Sequence, residues 1–268
     1  MRYTRLIAVV SITFALAGCI NSGTLIKVKP DGSGTIEQTL LMNMSLLKGM
    51  MASGDASGQT KPSSPFSEEQ LKQSASRLGK GVRFVSSTPM AQGGFEGAKA
   101  IYAFEDITQI SIQQDPNLGG SNQTLPMQPK TSNPVRFALA REGPSSVLTV
   151  TFDEKAVSGN VAPTTPAAAA NVDSATLQMM KSIFQGFKIA IDLEVVGKIV
   201  KTNADYVSGS RITLLEIDMA SLLEDEAKLR ALQPKVASGG VSIAEIKPLL
   251  KDVKGVKINH AVVTVEYR

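Results

Sequence analysis

Few side chains in this chain can do metal or nucleophilic chemistry. There is one histidine and one cysteine in 268 residues. His260 lies between Ile258 and Val262 in a stretch that reads as the last strand. A zinc site on that lone imidazole would need several carboxylates. A Ser-His-Asp triad would have to use His260, and the sequence has no G-x-S-x-G elbow. His260 therefore reads as a strand or surface histidine. The carboxylates come as neighbours: Glu68-Glu69, Glu105-Asp106 and Glu224-Asp225-Glu226. Neighbours on a strand point to opposite faces, and neighbours on a helix diverge. Glu224 with Lys228 and Glu226 with Arg230 have the i,i+4 spacing of a solvated helix face. No acid–base pair follows from them. "GGFEGAKA" and "LGKG" lack the G-x-x-x-x-G-K-[ST] spacing with which backbone amides cradle phosphates.

One serine pattern merits weighing. Ser45-Leu46-Leu47-Lys48 has S-x-x-K spacing, and Ser158-Gly159-Asn160 has S-x-N spacing. Lys201-Thr202 begins K-T-G but continues with Asn203. This is the motif order of penicillin-recognising serine enzymes, in which the lysine eases deprotonation of the serine. Here the third glycine is missing and the middle motif sits in a low-complexity stretch. About one or two S-x-x-K matches are expected by chance in a chain so rich in serine. The main reading is a protein without catalysis, metal or cofactor, and a serine acyl-enzyme is the last alternative.

The cysteine has a different use. Arg2 and Arg5 precede an apolar, uncharged run from Leu6 to Ala17. The run is shorter than the roughly 20 residues of a membrane span. Basic start, short apolar middle and small residues at the end describe a signal peptide over 1–18. Leu16-Ala17-Gly18-Cys19 resembles the bacterial lipobox, whose cysteine receives lipid before the leader is removed. Two or three acyl chains, at about 0.8 kcal/mol per buried CH₂, hold a protein on a membrane. The expectation is an exported chain, anchored to the cell envelope through Cys19. In a Gram-negative envelope, Ile20 rather than aspartate after the cysteine points to the outer membrane. Once Cys19 is lipidated, no thiol is left for a disulfide, a thiolate metal site or a nucleophile.

The methionines are the remaining candidates. Met42, Met44, Met50, Met51, Met179 and Met180 fall in two segments beside Leu46, Leu47, Ile183 and Phe184. Flexible thioethers fill irregular apolar space and suit adaptable binding surfaces. They read either as core filling or as an apolar groove. The groove would be lined by Met44, Leu47, Met51, Met180, Ile183, Phe184 and Phe187.

The elements that position these residues follow from pattern. "TLIKVKPDGSGTIEQTLLM" alternates on both arms around Pro30-Asp31-Gly32-Ser33-Gly34, which predicts a hairpin. Ile20 to Gly23 is a short tether, at most about 14 Å long at about 3.5 Å per residue. "NMSLLKGMM" predicts a short helix. Ser67 and Gln70 have capping-box spacing before a helix that closes at Gly79. Val82–Ser87 and Gly97–Phe104 predict strands, and "VRFALAREGPSSVLTVTF" a second hairpin turning at Gly143-Pro144. "DSATLQMMKSIFQGFK" predicts an amphipathic helix, and "KIAIDLEVVGKIV" a long strand with "RITLLEID" pairing back. Met219–Leu232 predicts a helix, and Ser242 with Glu245 caps another that Pro248 kinks or restarts. "VKINHAVVTVEY" predicts a closing strand. Hairpins with interspersed helices and no βαβ repeat give an α+β fold: a mainly antiparallel sheet with helices on one face. Residues 24–268 form one domain, with loop insertions near 52–65, 113–134 and 154–172.

The formal charge is +4, and the leader arginines account for half of it. No Lys/Arg cluster marks nucleic-acid binding. With no Trp, 9 Phe and 4 Tyr, the chain is poor in base-stacking platforms.

A lipobox cysteine followed at once by "VKPDGSGTIEQTLLM", and later "VVGKIVKTNADYVSGSRITLLEID", resembles the LppM-like bacterial lipoproteins. The resemblance covers Met1 to Ser45 and Ile189 to Asp218. It implies a surface-facing α+β lipoprotein domain, for which lipid or glycolipid binding has been proposed, and it supplies no catalytic residues. The expected function is a membrane-anchored lipoprotein that binds a lipid or other apolar ligand. The alternative is an envelope scaffold that contacts other proteins.

Overall fold

A computed structural model describes residues 20–43, 66–112, 135–152, 186–228 and 243–268, with 178, 181, 231 and 232 as single positions. The first hairpin forms as its alternation requires. β1 (Ile20–Val28) pairs antiparallel with β2 (Gly34–Asn43), Ile26 opposite Ile36. Pairing starts at Ile20 opposite Met42, so the strand reaches back into the residues read as a tether. α1 (Glu68–Leu78) follows, capped by Ser67, whose hydroxyl accepts from the Gln70 amide. β3 (Arg83–Gln92) and β4 (Phe95–Phe104) form a hairpin, and β4 lies against β2. A 3-10 turn at Ile107–Gln109 leads towards the hairpin of β5 (Arg136–Glu142) and β6 (Ser145–Thr151).

β7 (Lys188–Val195) pairs in parallel with β1 and antiparallel with β10 (Arg211–Asp218). β8 (Ile199–Thr202) and β9 (Val207–Ser208) lie between them in sequence. α2 (Met219–Glu224), α3 (Ile243–Leu250), β11 (Val256–Ile258) and β12 (Val262–Tyr267) complete the described elements. The fold is α+β, and β1–β7 is the one parallel pair among the described strands. The larger sheet runs β11-β10-β7-β1-β2-β4-β3, with β9 on β10. The smaller runs β5-β6-β12-β8.

The expected single sheet is thus two sheets that share one core. Ile26, Ile36, Tyr102, Leu193 and Ile212 of the larger sheet cluster with Leu148, Val150, Val263, Val265 and Tyr267 of the smaller. Two stretches read as continuous strands break because each passes from one sheet to the other. Residues 188–200 break at Val196-Gly197-Lys198, and Ile199 starts β8 in the smaller sheet. Gly197 has φ 141°, and a Cβ there would lie 2.5 Å from the Arg268 carbonyl oxygen, so only glycine turns that corner freely. Residues 256–267 break at Asn259-His260-Ala261, which removes His260 from the last strand.

Asn259 is 1% exposed and ties this crossing together. Its Oδ1 accepts from the Asp205 and His260 amides at 3.2 and 3.0 Å, and its Nδ2 donates to the Thr213 carbonyl at 3.1 Å. The helix expected over 219–232 also breaks. Asp225 ends α2, and its carboxylate accepts the Lys228 amide at 3.1 Å, as an N-cap does. α3 runs on through Pro248. Leu222, Leu232, Ile246 and Val253 form a second, smaller cluster, while Ile243 joins the main core.

The β1–β2 turn is clasped from outside its own hairpin. The Tyr267 hydroxyl donates to the Lys29 carbonyl at 3.0 Å and the Ser146 hydroxyl to the Pro30 carbonyl at 2.8 Å. Arg141 donates to the Asp31 carbonyl at 3.1 Å. "PDGSG" therefore joins the two sheets as well as turning a hairpin.

Candidate functional site

Cys19 and the candidate ligand residues Met44, Leu47, Met51, Met180, Ile183 and Phe184 lie outside the described residues. So do Ser45, Lys48, Ser158 and Asn160, and the three loops near 52–65, 113–134 and 154–172. Phe187 is described. It is half-buried just before β7, and its carbonyl accepts from the Met219 amide at 3.1 Å. Thr202, from the K-T pair, has a structural use. Its hydroxyl donates to the Thr264 carbonyl at 2.8 Å and accepts from the Ala204 amide at 3.1 Å.

His260 is exposed on the crossing between sheets, with its Nε2 3.3 Å from Asp205 Oδ1. Lys247 from α3 reaches both, 2.5 Å from Asp205 Oδ2 and 3.2 Å from His260 Nδ1. The ammonium hydrogen-bonded to Asp205 holds that carboxyl below its ordinary value. Among the described residues, no three His, Cys, Asp or Glu side chains group to hold a metal ion. Most of the neighbouring carboxylates are capping or paired groups. Asp106 caps the 3-10 turn, Glu68 pairs with Lys72 at 2.7 Å, and Glu105 faces Arg83 at 3.5 Å. The expected Glu224–Lys228 pair does not form, because the helix breaks at Asp225. Lys228 lies 4.0 Å from Asp252 instead, and Glu226 lies 3.9 Å from Lys181.

The outer face of the larger sheet carries an alternating charge ladder. Glu37 on β2 sits between Lys27 on β1 at 2.7 Å and Lys99 on β4 at 2.5 Å. Glu216 on β10 sits between Lys188 on β7 at 2.7 Å and Lys257 on β11 at 2.8 Å. The two lysines lower the Glu37 carboxyl below its ordinary value. At Glu216 burial pushes the other way, and the hydrogen bonds from Lys188 and Lys257 outweigh it. These charges satisfy one another across neighbouring strands and keep that face solvated.

The inner face differs at the end where β1 begins. A cavity of about 30 Å³ lies there, between the sheet and α1. Its floor is Ser22 of β1, Gln38 and Leu40 of β2, and Ala98, Ala100 and Tyr102 of β4. Its roof is Phe66, Leu71 and Ser74. The small residues of β4 leave the space, since alanines on a pleated face cannot reach a helix as leucines would.

Tyr102 is 0% exposed, and its ring meets Phe84 edge-on with centroids 5.9 Å apart. Burial pushes its phenol up to about 12, so it stays neutral and able to donate. That hydroxyl, the Gln38 amide and the Ser22 hydroxyl make no hydrogen bond among the described residues. All three residues line the cavity, and none of these atoms is a sealed, orphaned polar group. Such a volume holds about two waters. Ser22, one of the residues on the cavity floor, follows Cys19 by three positions.

α1 is unevenly held. Its C-terminal end is fastened by the Ser111 amide, which donates to the Leu78 carbonyl at 2.9 Å, and by the Gly79–Ile110 bridge. Leu78 is its one large buried side chain, worth about 2–3 kcal/mol. Its N-terminal cap bond is long, at 3.4 Å. Ser74 and Ser76 turn their hydroxyls back to the Gln70 and Gln73 carbonyls, a pattern that slightly weakens a helix.

No protein-family model matches the chain, and no curated protein matches it. Among solved structures it is similar to the NMR structure of the folded domain of the Mycobacterium tuberculosis LppM protein. The identity is 12% over 94% of this chain and 91% of that one, with a TM-score of 0.33. That likeness is too remote to carry any residue, ligand or role across. Among the described residues no helix is long and apolar enough to cross a membrane. None of the sequence signals pointed to Tyr102 or Gln38. An isolated tyrosine in an alternating strand reads as core, and its hydroxyl's surroundings depend on α1.

Proposed function

We propose that this is an envelope lipoprotein, anchored through Cys19, that binds a lipid or other apolar ligand beneath α1 and performs no catalysis. The cavity between α1 and the β1–β2–β4 face carries the reading. It has apolar walls from Leu40, Leu71 and Phe66, and it sits on the strand that begins next to the anchor. At about 30 Å³ the closed cavity is far below the roughly 300 Å³ of a ligand pocket, so binding requires α1 to lift. The uneven fastening of α1 supports that motion, with its C-terminal end as the hinge. Met44, Leu47, Met51, Met180, Ile183, Phe184 and Phe187 remain proposed ligand contacts beside it.

The test is mass spectrometry of an organic extract of the mature chain carrying Cys19→Ser, purified without detergent. A stoichiometric lipid is the expected result. A clean extract, repeated after incubation with envelope lipids, overturns the reading.

The scaffold reading has one observation of its own. The outer face of the smaller sheet presents Ala138, Ala140, Thr149, Thr151 and the 46%-exposed Val262, with Arg136, Lys201 and Glu266 on the same face. Crosslinking in the native envelope from that face would capture a partner if this surface, rather than the cavity, is the working one.

A further inference from the structure

We infer that the cavity beneath α1 receives the uncharged polar end of an amphiphile, an alcohol or ester, and discriminates against a carboxylate. This rests on the ligand-binding reading above and specifies which end of the ligand enters. Three polar side chains of the floor line the space, and none is ionised: the Tyr102 hydroxyl, the Gln38 amide and the Ser22 hydroxyl. They make no hydrogen bond among the described residues, none is a sealed, orphaned group, and the Tyr102 side chain is buried. Polar groups in such a place are completed by water or by a ligand. Together they offer both donors and acceptors, which suits a hydroxyl or an ester. They offer no cation to a carboxylate, and an ionised group buried without one is strongly disfavoured. The nearest lysines on these strands, Lys27 and Lys99, are on the opposite face and already engage Glu37. Arg77 of α1, whose charge is felt at the Tyr102 hydroxyl, is exposed and does not line the cavity. Leu40 and Leu71 then meet the apolar stem of the ligand where it leaves towards the start of β1.

The test uses decanol and decanoate as probes near neutral pH, with the mature chain carrying Cys19→Ser. Binding is read by saturation-transfer NMR and competition. Saturable decanol binding with decanoate at least about tenfold weaker is expected, from the hydrogen bonds at stake. Decanol is also the more apolar probe, so the variants decide. Gln38→Leu, Tyr102→Phe and Ser22→Ala each keep or add apolar surface. Each is expected to weaken decanol severalfold while leaving decanoate unchanged. Thermal melts confirm that each variant is folded, and Ser22→Ala is the mildest of the three. Equal binding of the two probes, or decanol affinity unmoved in all three folded variants, overturns this inference and leaves the ligand-binding reading standing. Saturable binding of neither probe overturns both.

Discussion

Asn259 offers a sharp test of how the two sheets are joined. Asn259→Ala removes one acceptor that serves two amides, from Asp205 and His260, and one donor to the Thr213 carbonyl. Each group left without a partner costs about 1–3 kcal/mol. The side chains of Asp205 and His260 are partly exposed and their amide bonds to Asn259 only part-buried, so the low end applies. The expected loss is about 3 kcal/mol, a large share of a total stability of about 5–15 kcal/mol.

Asn259→Asp refines the test. An ionised aspartate still accepts both amides but sets an oxygen against the Thr213 carbonyl. A protonated one restores the donor. Burial and that carbonyl both favour the protonated form, so the folded-state pKa rises above the unfolded value of about 3.9. The variant's stability relative to the parent is therefore greatest below about pH 4 and falls as pH rises through the folded pKa. The total fall is about 1.4 kcal/mol for each pH unit separating the folded and unfolded pKa values. Urea unfolding from about pH 3 to about pH 7 reads both variants. A loss under about 1 kcal/mol for Asn259→Ala, or a flat pH difference for Asn259→Asp, would refute the joining role.

Other perturbations probe separate parts of the molecule. Gly34→Ala drives a Cβ into the Lys27 carbonyl oxygen and to 2.7 Å from the Phe104 ring, and is expected to cost at least about 2–3 kcal/mol in chemical unfolding. Gly94→Asn in the β3–β4 turn has open space and a left-handed φ that asparagine tolerates, so its melting temperature should stay close to the parent's. Glu37 and Glu216 have folded-state pKa values below the ordinary 4.5, so their stabilisation is present above that value and fades as pH falls through the lower folded values. Glu37→Gln with Glu216→Gln should therefore lower stability near neutral pH and flatten the acid limb of an unfolding profile. An unchanged limb would show that the charge ladder adds nothing. Cys19→Ser should move the protein out of the membrane fraction on cell fractionation, and retention there would remove the lipid anchor.

Elements that depend on neighbours along the chain were legible in the residues themselves. The alternation around "PDGSG" specifies a hairpin and its buried face, because a strand's side chains alternate strictly and a one-residue slip would expose the whole apolar set. The same local logic makes the second hairpin at Gly143-Pro144 and the Ser67 cap legible. What those faces meet came from the three-dimensional fold. Periodicity reports that Ile191 and Val265 are buried, and says nothing of two sheets sharing that burial. Gly197 turns between sheets because Arg268 approaches it, 71 positions away, and Tyr267 clasps Lys29 across 238 positions. Asn259 within "VKINHAVV" is indistinguishable from any polar residue in a strand until Asp205 and Thr213 arrive at its amide. The cavity follows the same rule. Alanines at 98 and 100 are unremarked in sequence, and they become a floor only where a short helix passes over them without reaching down.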